Sequence, residues 1–187
     1  HENGCWTNHH SIVKYQGQWY LFYHHNAFSP DFDKNRSAQI ERLYFNEDGT
    51  IREVRPTMRG VGPVKASHKI HIDRYSSMEG ARIEYLDTSD YFKGWKTVFA
   101  NAGDYVAFNE VDFGKEAPKN LTIRVKAAAD ASLEVVAGKT VVKTDVAKTE
   151  DWAEVSFPMP AKVKGMQDIT VRLKTDADVE VDWITFK

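Results

Sequence analysis

The sequence predicts an all-β protein of two modules, the second of them a β-sandwich. Short runs rich in β-branched and aromatic residues recur along the chain, separated by clusters of Gly, Asp, Asn and Pro. Helix signals are nearly absent, because the run Ala127–Ala129 is the only good helix former and Asp130 after it favours a turn. A breaker cluster, Arg59–Val64, contains two glycines and a proline. We therefore place the boundary there and predict modules at 1–63 and 64–187.

Composition separates the two modules as well. Residues 1–64 hold ten aromatic residues and five of the seven histidines.

The whole chain has 25 Lys and Arg against 27 Asp and Glu and a formal net charge of −2. Without a basic patch, neither nucleic acid nor an anionic membrane surface is an expected partner.

Nothing in the chain predicts a membrane span or a signal peptide, since no apolar run approaches the roughly 18 residues that a spanning helix needs. The lone cysteine, Cys5, has no second cysteine to pair with. The chain opens with His1 inside a stretch that looks structured, so we expect it to be part of a longer protein.

The first module reads as four antiparallel strands joined by turn signals at Gln16–Gly17 and Asn46–Gly49. In the run Trp19–Tyr23 both alternating faces are apolar or aromatic, which predicts a strand covered on both sides. A lone sheet of this size cannot cover itself, so we expect it to need neighbours that the chain does not contain. The four predicted strands are 11–15, 18–24, 38–45 and 51–55.

The second module contains short strand-like runs at regular spacing, which is typical of a β-sandwich. Ile169, Val171 and Leu173 fall on one face of such a run and are expected to lie in the core. The predicted strands are 69–73, 105–109, 120–127, 132–136, 139–146, 153–157, 168–173 and 180–186.

Three motifs of the first module together carry a family resemblance. Thr7–Ile12 (TNHHSI), Gly17–His24 (GQWYLFYH) and Lys34–Ser37 (KNRS) resemble the last blade of the five-bladed β-propeller of glycoside hydrolase family 43, and Asn46–Ile51 fits its closing hairpin. The resemblance implies a hydrolase that cleaves arabinofuranosyl or xylosyl linkages in hemicellulose with inversion. It also implies that the catalytic acid and base lie on earlier blades, upstream of this chain.

The same resemblance implies two site residues in the first module. His9 matches a histidine that points down the propeller axis toward the substrate. There it contacts a metal, often calcium, or the water shell of that metal. The alternative is a histidine hydrogen-bonded within a sheet. Arg36 matches an arginine that reaches the sugar pocket, and the alternative is a surface ion pair. None of the acids of this module matches a catalytic motif, and we expect acids such as Asp31, Asp33, Glu41 and Asp48 to lie in loops or turns.

The second module resembles a family 6 carbohydrate-binding module through Lys69–Met78, Ala102–Val106 and Val181–Ile184. The resemblance implies that Asp73 and Asp182 hold a structural calcium that ties the first and last strands together. Where the family usually has Glu, this chain has His71, which removes one oxygen ligand. The alternative is two ordinary edge-strand aspartates.

The sugar cleft of that family uses two aromatic rings and an amide. Phe99 and Trp152 match the rings, and Glu180 takes the place of the amide. Tyr91 and Trp95, in an aromatic-rich loop, are alternative platforms.

Three hypotheses follow. The chain is the C-terminal part of a secreted or periplasmic glycosidase acting on hemicellulose or arabinoxylan oligosaccharides, with the missing propeller blades in the same polypeptide or a separate one. Alternatively it is a glycan-binding protein without catalysis, or its β-sandwich is purely structural. The doubly apolar run Trp19–Tyr23 favours the first.

Overall fold

The computed structural model describes residues 9–26 and 36–187. The chain divides into two compact units, unit 1 (residues 1–61) and unit 2 (residues 62–187). The sequence places the boundary at residue 63, two residues further along. In the part of the chain that is described, no helix has the length and apolar character that crossing a bilayer requires.

Unit 1 contains, in its described residues, one antiparallel sheet with the strand order β1-β2-β3. The turn between the first two strands has positive φ at both Gln16 (47°) and Gly17 (84°), as a tight two-residue hairpin requires. The fourth predicted strand, 51–55, is wrong: only an isolated bridge joins Phe45 to Ile51. The strands are β1 (Ser11–Tyr15), β2 (Gln18–His25) and β3 (Ser37–Leu43).

The apolar side chains of unit 1 are only partly covered. Every residue of β1 is exposed, and in β2 Trp19 and Tyr23 are half-buried while Phe22 is 42% exposed. Among the described residues of unit 1, Leu43 is the only buried apolar side chain. The double coverage that the sequence predicts for β2 is therefore not supplied by the described residues of this unit.

Unit 2 is a sandwich of two six-stranded sheets, as the sequence predicts. One sheet has the order β13-β10-β15-β8-β7 with β5 beside β15, and the other has the order β12-β11-β14-β9-β4 with β6 beside β9. The strands are β4 (Val64–Lys65), β5 (Ile70–His71), β6 (Ser77–Glu79), β7 (Arg82–Tyr85), β8 (Trp95–Phe99), β9 (Tyr105–Asp112), β10 (Asn120–Ala127), β11 (Ala131–Ala137), β12 (Thr140–Val146), β13 (Ala153–Pro158), β14 (Met166–Leu173) and β15 (Val179–Phe186).

The core of unit 2 lies between these sheets. Alternation along β10 and β11 buries every second side chain, and Ile169, Val171 and Leu173 of β14 are all fully buried, which confirms the face predicted for them. The core cluster draws its residues from Ala66 through to Phe186.

Sequence reasoning missed four short strands of unit 2, β4, β6, β7 and β8. Three of them are two to four residues long, and β7 carries charged side chains at alternate positions, Arg82 and Glu84. Such strands form because a longer strand beside them offers a hydrogen-bonding edge. The composition of these short strands is by itself only a weak signal that they form strands.

Candidate functional site

One end of the sheet in unit 1 gathers the histidines and the arginine that the resemblance singles out. Residue His9 lies just before β1, His24 near the end of β2 and Arg36 just before β3, so antiparallel pairing brings all three to the same end. The backbone N–H of His9 donates to Nδ1 of His24 at 3.4 Å, and the two rings meet edge to face with centroids 5.7 Å apart. Both His9 and Arg36 are exposed.

His25, the last residue of β2, and Asn26 after it lie at the same end of the sheet, and sequence reasoning did not single them out. His25 is 3% exposed and Asn26 is fully buried. Burial, and then the neighbouring His24, lowers the pKa of His25.

The acid Glu41 lies in strand β3, within the predicted strand 38–45, and not in a loop or turn as expected of this acid. Its carboxylate is 8% exposed and accepts hydrogen bonds from Thr57 N at 2.6 Å and Thr57 Oγ1 at 2.8 Å. Burial, together with this carboxylate, raises the pKa of Tyr23, whose hydroxyl lies 3.5 Å from it. The Glu41 carboxylate thus fixes Thr57, in the segment that follows the turn at residues 46–50. Asp48 lies in a turn, as expected, and Asp31 and Asp33 lie outside the described residues.

In unit 2 the structure contradicts the role predicted for Phe99. Its ring is fully buried in the core, because Phe99 shares with Thr97 the inward face of β8. A ring with no exposed surface cannot stack on a sugar. Its position at the end of the strand, opposite Val179, agrees with the predicted cleft, but its direction does not.

The other two cleft residues lie at the surface near the same end of this sheet. Trp152 is half-buried, and the guanidinium of Arg124 lies 4.6 Å from its ring centroid. Glu180 accepts an ion pair from Lys96 Nζ at 2.8 Å. One face of the Trp152 ring and one side of the Glu180 carboxylate are therefore already engaged by cations of the protein.

The predicted calcium ligands Asp73 and Asp182 are both buried, at 3% and 5% exposed. Asp182 accepts a close hydrogen bond from Arg124 on one oxygen and lies 3.4 Å from Nδ1 of His71 on the other. Asp73 lies 3.2 Å from Nε of Arg74. Three of the four carboxylate oxygens thus face basic side chains.

The pKa values of the two carboxyls move in opposite directions. Burial raises the pKa of Asp73, and the nearby Arg74 only partly offsets it. Burial alone would raise the pKa of Asp182 as well, but hydrogen bonds from His71 and Arg124 outweigh it and leave this pKa lowered. Among the described residues, no group of three acidic, His or Cys side chains is arranged to hold a metal ion.

An aromatic stack lies at the β7–β8 hairpin. The ring of Tyr85 stacks with that of Tyr91, with centroids 4.3 Å apart, and with that of Trp95, with centroids 4.1 Å apart. Tyr91 is 61% exposed and the neighbouring Phe92 is fully exposed. The sequence identifies Tyr91 and Trp95, but Tyr85 was missed because only the pairing of β7 with β8 places it opposite Trp95.

Comparison with known proteins matches unit 2 to a family. The family described as "Carbohydrate binding module (family 6)" matches residues 73–187, more than half of the chain. A family 6 module from Clostridium cellulolyticum, solved in complex with xylose, is 25% identical and aligns with a TM-score of 0.58 over 66% of this chain and 98% of that one. A family 36 module in complex with calcium and xylotriose shares the fold, with a TM-score of 0.51 at 18% identity over 64% of this chain and 99% of that one.

Other similar proteins are glycoside hydrolases. A xylosidase/arabinosidase 43A of Humicola insolens is 41% identical over 51 residues, 27% of this chain. An arabinoxylan arabinofuranohydrolase of Paenibacillus polymyxa is 25% identical over 137 residues, 69% of this chain. The chain spans only 16% and 22% of the length of these two relatives. A family 43 arabinoxylan arabinofuranohydrolase from Bacillus subtilis, solved with cellotetraose, shares the fold over 97% of this chain and 41% of its own, with a TM-score of 0.67 and 20% identity.

Proposed function

Because the chain belongs to the family 6 carbohydrate-binding modules through residues 73–187, we propose that unit 2 binds the glycan on which a hemicellulose-degrading enzyme acts. The chain is the C-terminal portion of a glycoside hydrolase that cleaves arabinofuranosyl or xylosyl linkages. The observation that supports this proposal most directly is the similarity of the chain to a xylosidase/arabinosidase, 41% identical over 51 residues, and to an arabinoxylan arabinofuranohydrolase, 25% identical over 137 residues. The names of the relatives support the substrate class.

Unit 1 contributes one blade of the propeller under this proposal. Its exposed apolar side chains support further blades packing on it, since Ile12 is 40% exposed, Val13 45% and Phe22 42%. The end of the sheet that holds His9 and Arg36 faces the substrate, and His9 acts on a central metal through water. Contact through water suits an imidazole here, because calcium itself prefers oxygen ligands and the water supplies the oxygen.

Catalysis with inversion requires an acid and a base on opposite sides of the scissile bond, about 6.5–9.5 Å apart. Glu41 does not suit either role, since its carboxylate is buried and holds Thr57. We place both catalytic carboxylates on earlier blades of the parent enzyme. Its location is outside the cell or in the periplasm, because polymeric hemicellulose is met there.

In unit 2 the cleft uses Trp152 as its single platform and Glu180 as its polar contact. A half-buried indole keeps one ring face for the apolar C–H face of a sugar. The carboxylate of Glu180, fixed by Lys96, accepts from sugar hydroxyls. Because the Phe99 ring is buried and does not line the cleft, binding depends on one ring where the family uses two.

Calcium at Asp73 and Asp182 would have a structural role only. The buried carboxylate of Asp73 supports such a role, because its ion-pair partner, Arg74, has a side chain that is 62% exposed. Arg124 opposes it, since its guanidinium already neutralises Asp182. Addition of calcium and of EDTA to the chain, with Asp73→Asn as control, decides the matter: calcium should raise the midpoint of thermal unfolding only where Asp73 is intact.

Affinity electrophoresis of the 187-residue chain through gels containing arabinoxylan tests the binding function. We expect retardation relative to a gel without polysaccharide, and a smaller retardation for Trp152→Ala. Hydrolysis of aryl arabinofuranoside and xyloside is then assayed on the full-length parent enzyme, since this chain alone should be inactive. An unretarded wild-type chain in arabinoxylan, xylan and β-glucan gels would contradict glycan binding.

A second candidate function is a purely structural sandwich that stabilises the propeller. The burial of Phe99 and the guanidinium over Trp152 favour it, because both reduce the cleft. The same gels distinguish it, since a structural sandwich migrates equally with and without polysaccharide.

A further inference from the structure

The aromatic stack at the β7–β8 hairpin is separate from the predicted cleft. Strand β8 carries Trp95 at one end and Phe99 at the other, and the cleft residues Trp152 and Glu180 lie toward the Phe99 end. Glu180 lies opposite Val98 and pairs with Lys96, and alternation along β8 points Lys96 and Val98 to the face opposite that of Trp95. The stack therefore lies away from the cleft, on β7, the edge strand of this sheet, and on β8 beside it.

The loop that carries the exposed rings is fixed by its own hydrogen bonds. The carboxylate of Asp87 accepts from Ser89 N at 2.8 Å, from Ser89 Oγ at 2.6 Å and from Lys93 Nζ at 2.7 Å. Asp90 accepts from Phe92 N at 3.1 Å and caps the 3-10 turn Tyr91–Lys93. Since stacking on Tyr85 also orients Tyr91, little conformational entropy is lost when a ligand meets this ring.

Rings held in this way have the chemistry of a sugar platform. A phenol ring presents a flat apolar face that matches the C–H face of a pyranose, and its hydroxyl stays in water. A carboxylate and an ammonium, Asp87 and Lys93, lie in the same loop and are suited to sugar hydroxyls. A neutral ligand is favoured, because the Asp87 carboxylate and the Lys93 ammonium are already paired with each other.

We propose that Tyr91, supported by the stacked Tyr85, forms with Phe92 a second glycan-binding platform for a xylan-type chain of neutral pyranoses. This inference rests on the proposed glycan-binding function and adds a site to it. A protein partner fits the loop less well. Two exposed aromatic side chains offer about 300–500 Å² at most, whereas a stable protein interface needs about 800 Å² on each side.

The test is isothermal titration of the 187-residue chain with xylohexaose, using Tyr91→Ala, Tyr91→Phe and Trp152→Ala variants. We expect Tyr91→Ala to weaken binding about tenfold, the loss of one stacked ring, and Tyr91→Phe to restore it. The matched control is Tyr15→Ala in unit 1, because Tyr15 is 63% exposed against 61% for Tyr91. Circular dichroism confirms that each variant is folded.

The outcomes are distinguishable. If the wild-type chain binds and only Trp152→Ala weakens it, the second platform is wrong while the proposed function stands. If Tyr91→Ala changes the association state in size-exclusion chromatography without changing xylohexaose affinity, the loop is a protein contact and the inference fails. If the wild-type chain binds neither xylohexaose nor cellohexaose, the proposed function itself is wrong, and the second platform fails with it.

Discussion

Phe99 illustrates at the residue scale how a motif match and a side-chain direction can disagree. Its place near the end of β8 agrees with the family pattern, and its fully buried ring does not. Sequence can specify that an aromatic residue stands at a given position. The face toward which it points depends on strand pairing, and here Thr97 on the same face is equally buried.

Replacement of Phe99 by Ala should lower the free energy of unfolding by about 3–5 kcal/mol, because it leaves a cavity in the core. Urea denaturation of the chain measures the loss, and Phe99→Leu, which keeps most of the volume, should cost much less. Weaker arabinoxylan binding by Phe99→Ala with an unchanged unfolding curve would instead return Phe99 to the cleft.

The Asp87–Lys93 pair gives a second prediction at the residue scale. The hydrogen bond from Lys93, followed by those from Ser89, holds the pKa of Asp87 well below its ordinary value. Because the folded pKa is below the unfolded one, the contribution of Asp87 to stability is complete above pH of about 4 and is lost as pH falls through the folded value. Lys93→Ala should raise the pKa of Asp87 toward its ordinary range.

A carboxyl NMR titration of the chain measures that pKa directly. Lys96→Ala is the control, since Lys96 pairs with Glu84 and Glu180 and not with Asp87. An Asp87 pKa that is equally low in wild type and Lys93→Ala would mean that the loop is held without this pair, and would weaken the case for a fixed Tyr91.

At the element scale, the longest strands were predicted and most of the short ones were missed. The long strands β10, β12 and β13 show alternation that the sequence displays directly, and their predicted bounds differ from the observed ones by a residue at most. Strands of two to four residues carry no period. The aromatic stack was not predictable as a unit either, because the cross-strand pair Tyr85 and Trp95 requires the β7–β8 register.

The turn before β7 provides an element-scale prediction at Gly80. Its φ is +75°, and an added Cβ would lie 2.0 Å from Oδ1 of Asp104. That buried carboxylate accepts from the backbone N–H groups of Ala100 and Asn101, both at 2.9 Å, and so fixes the turn after β8. Gly80→Ala should therefore cost both the left-handed conformation and part of this hydrogen bonding.

Gly114→Ala is the matched control, because Gly114 has a φ of +67° and nothing within 4 Å of an added Cβ. It should cost about 1–2 kcal/mol, the conformational term alone, and Gly80→Ala about 1–3 kcal/mol more. Thermal unfolding followed by near-ultraviolet circular dichroism compares them. Equal losses for the two variants would mean that Asp104 moves aside freely.

At the scale of the whole molecule, the all-β class and the sandwich were predictable, and the state of the sites was not. Period and turn signals specify how strands alternate, which is enough for the fold class. Whether Asp182 meets a metal or Arg124 depends on charges brought together from β5, β10 and β15, which no local pattern encodes. The end of unit 1 with His25 and Asn26 was missed for the same reason, since their burial is a property of the folded chain.

The distribution of buried apolar residues predicts that the two units differ in their ability to fold alone. The core cluster of unit 2 is drawn entirely from residues 66–186, whereas the described part of unit 1 buries a single apolar side chain, Leu43. A segment of about 60 residues is marginal even with a good core. Residues 62–187 expressed alone should therefore unfold cooperatively with the midpoint seen for unit 2 in the whole chain.

Residues 1–61 expressed alone should lack a cooperative transition and associate through the exposed side chains of β1 and β2, because apolar surface without a partner favours self-association. Urea titrations followed by circular dichroism, with size-exclusion chromatography of each fragment, measure both expectations. A monomeric, cooperatively unfolding 1–61 fragment would show that unit 1 needs no further blades. That result would remove the physical argument that unit 1 belongs to a propeller completed by blades outside this chain, and it would weaken the proposal that the chain is part of such an enzyme.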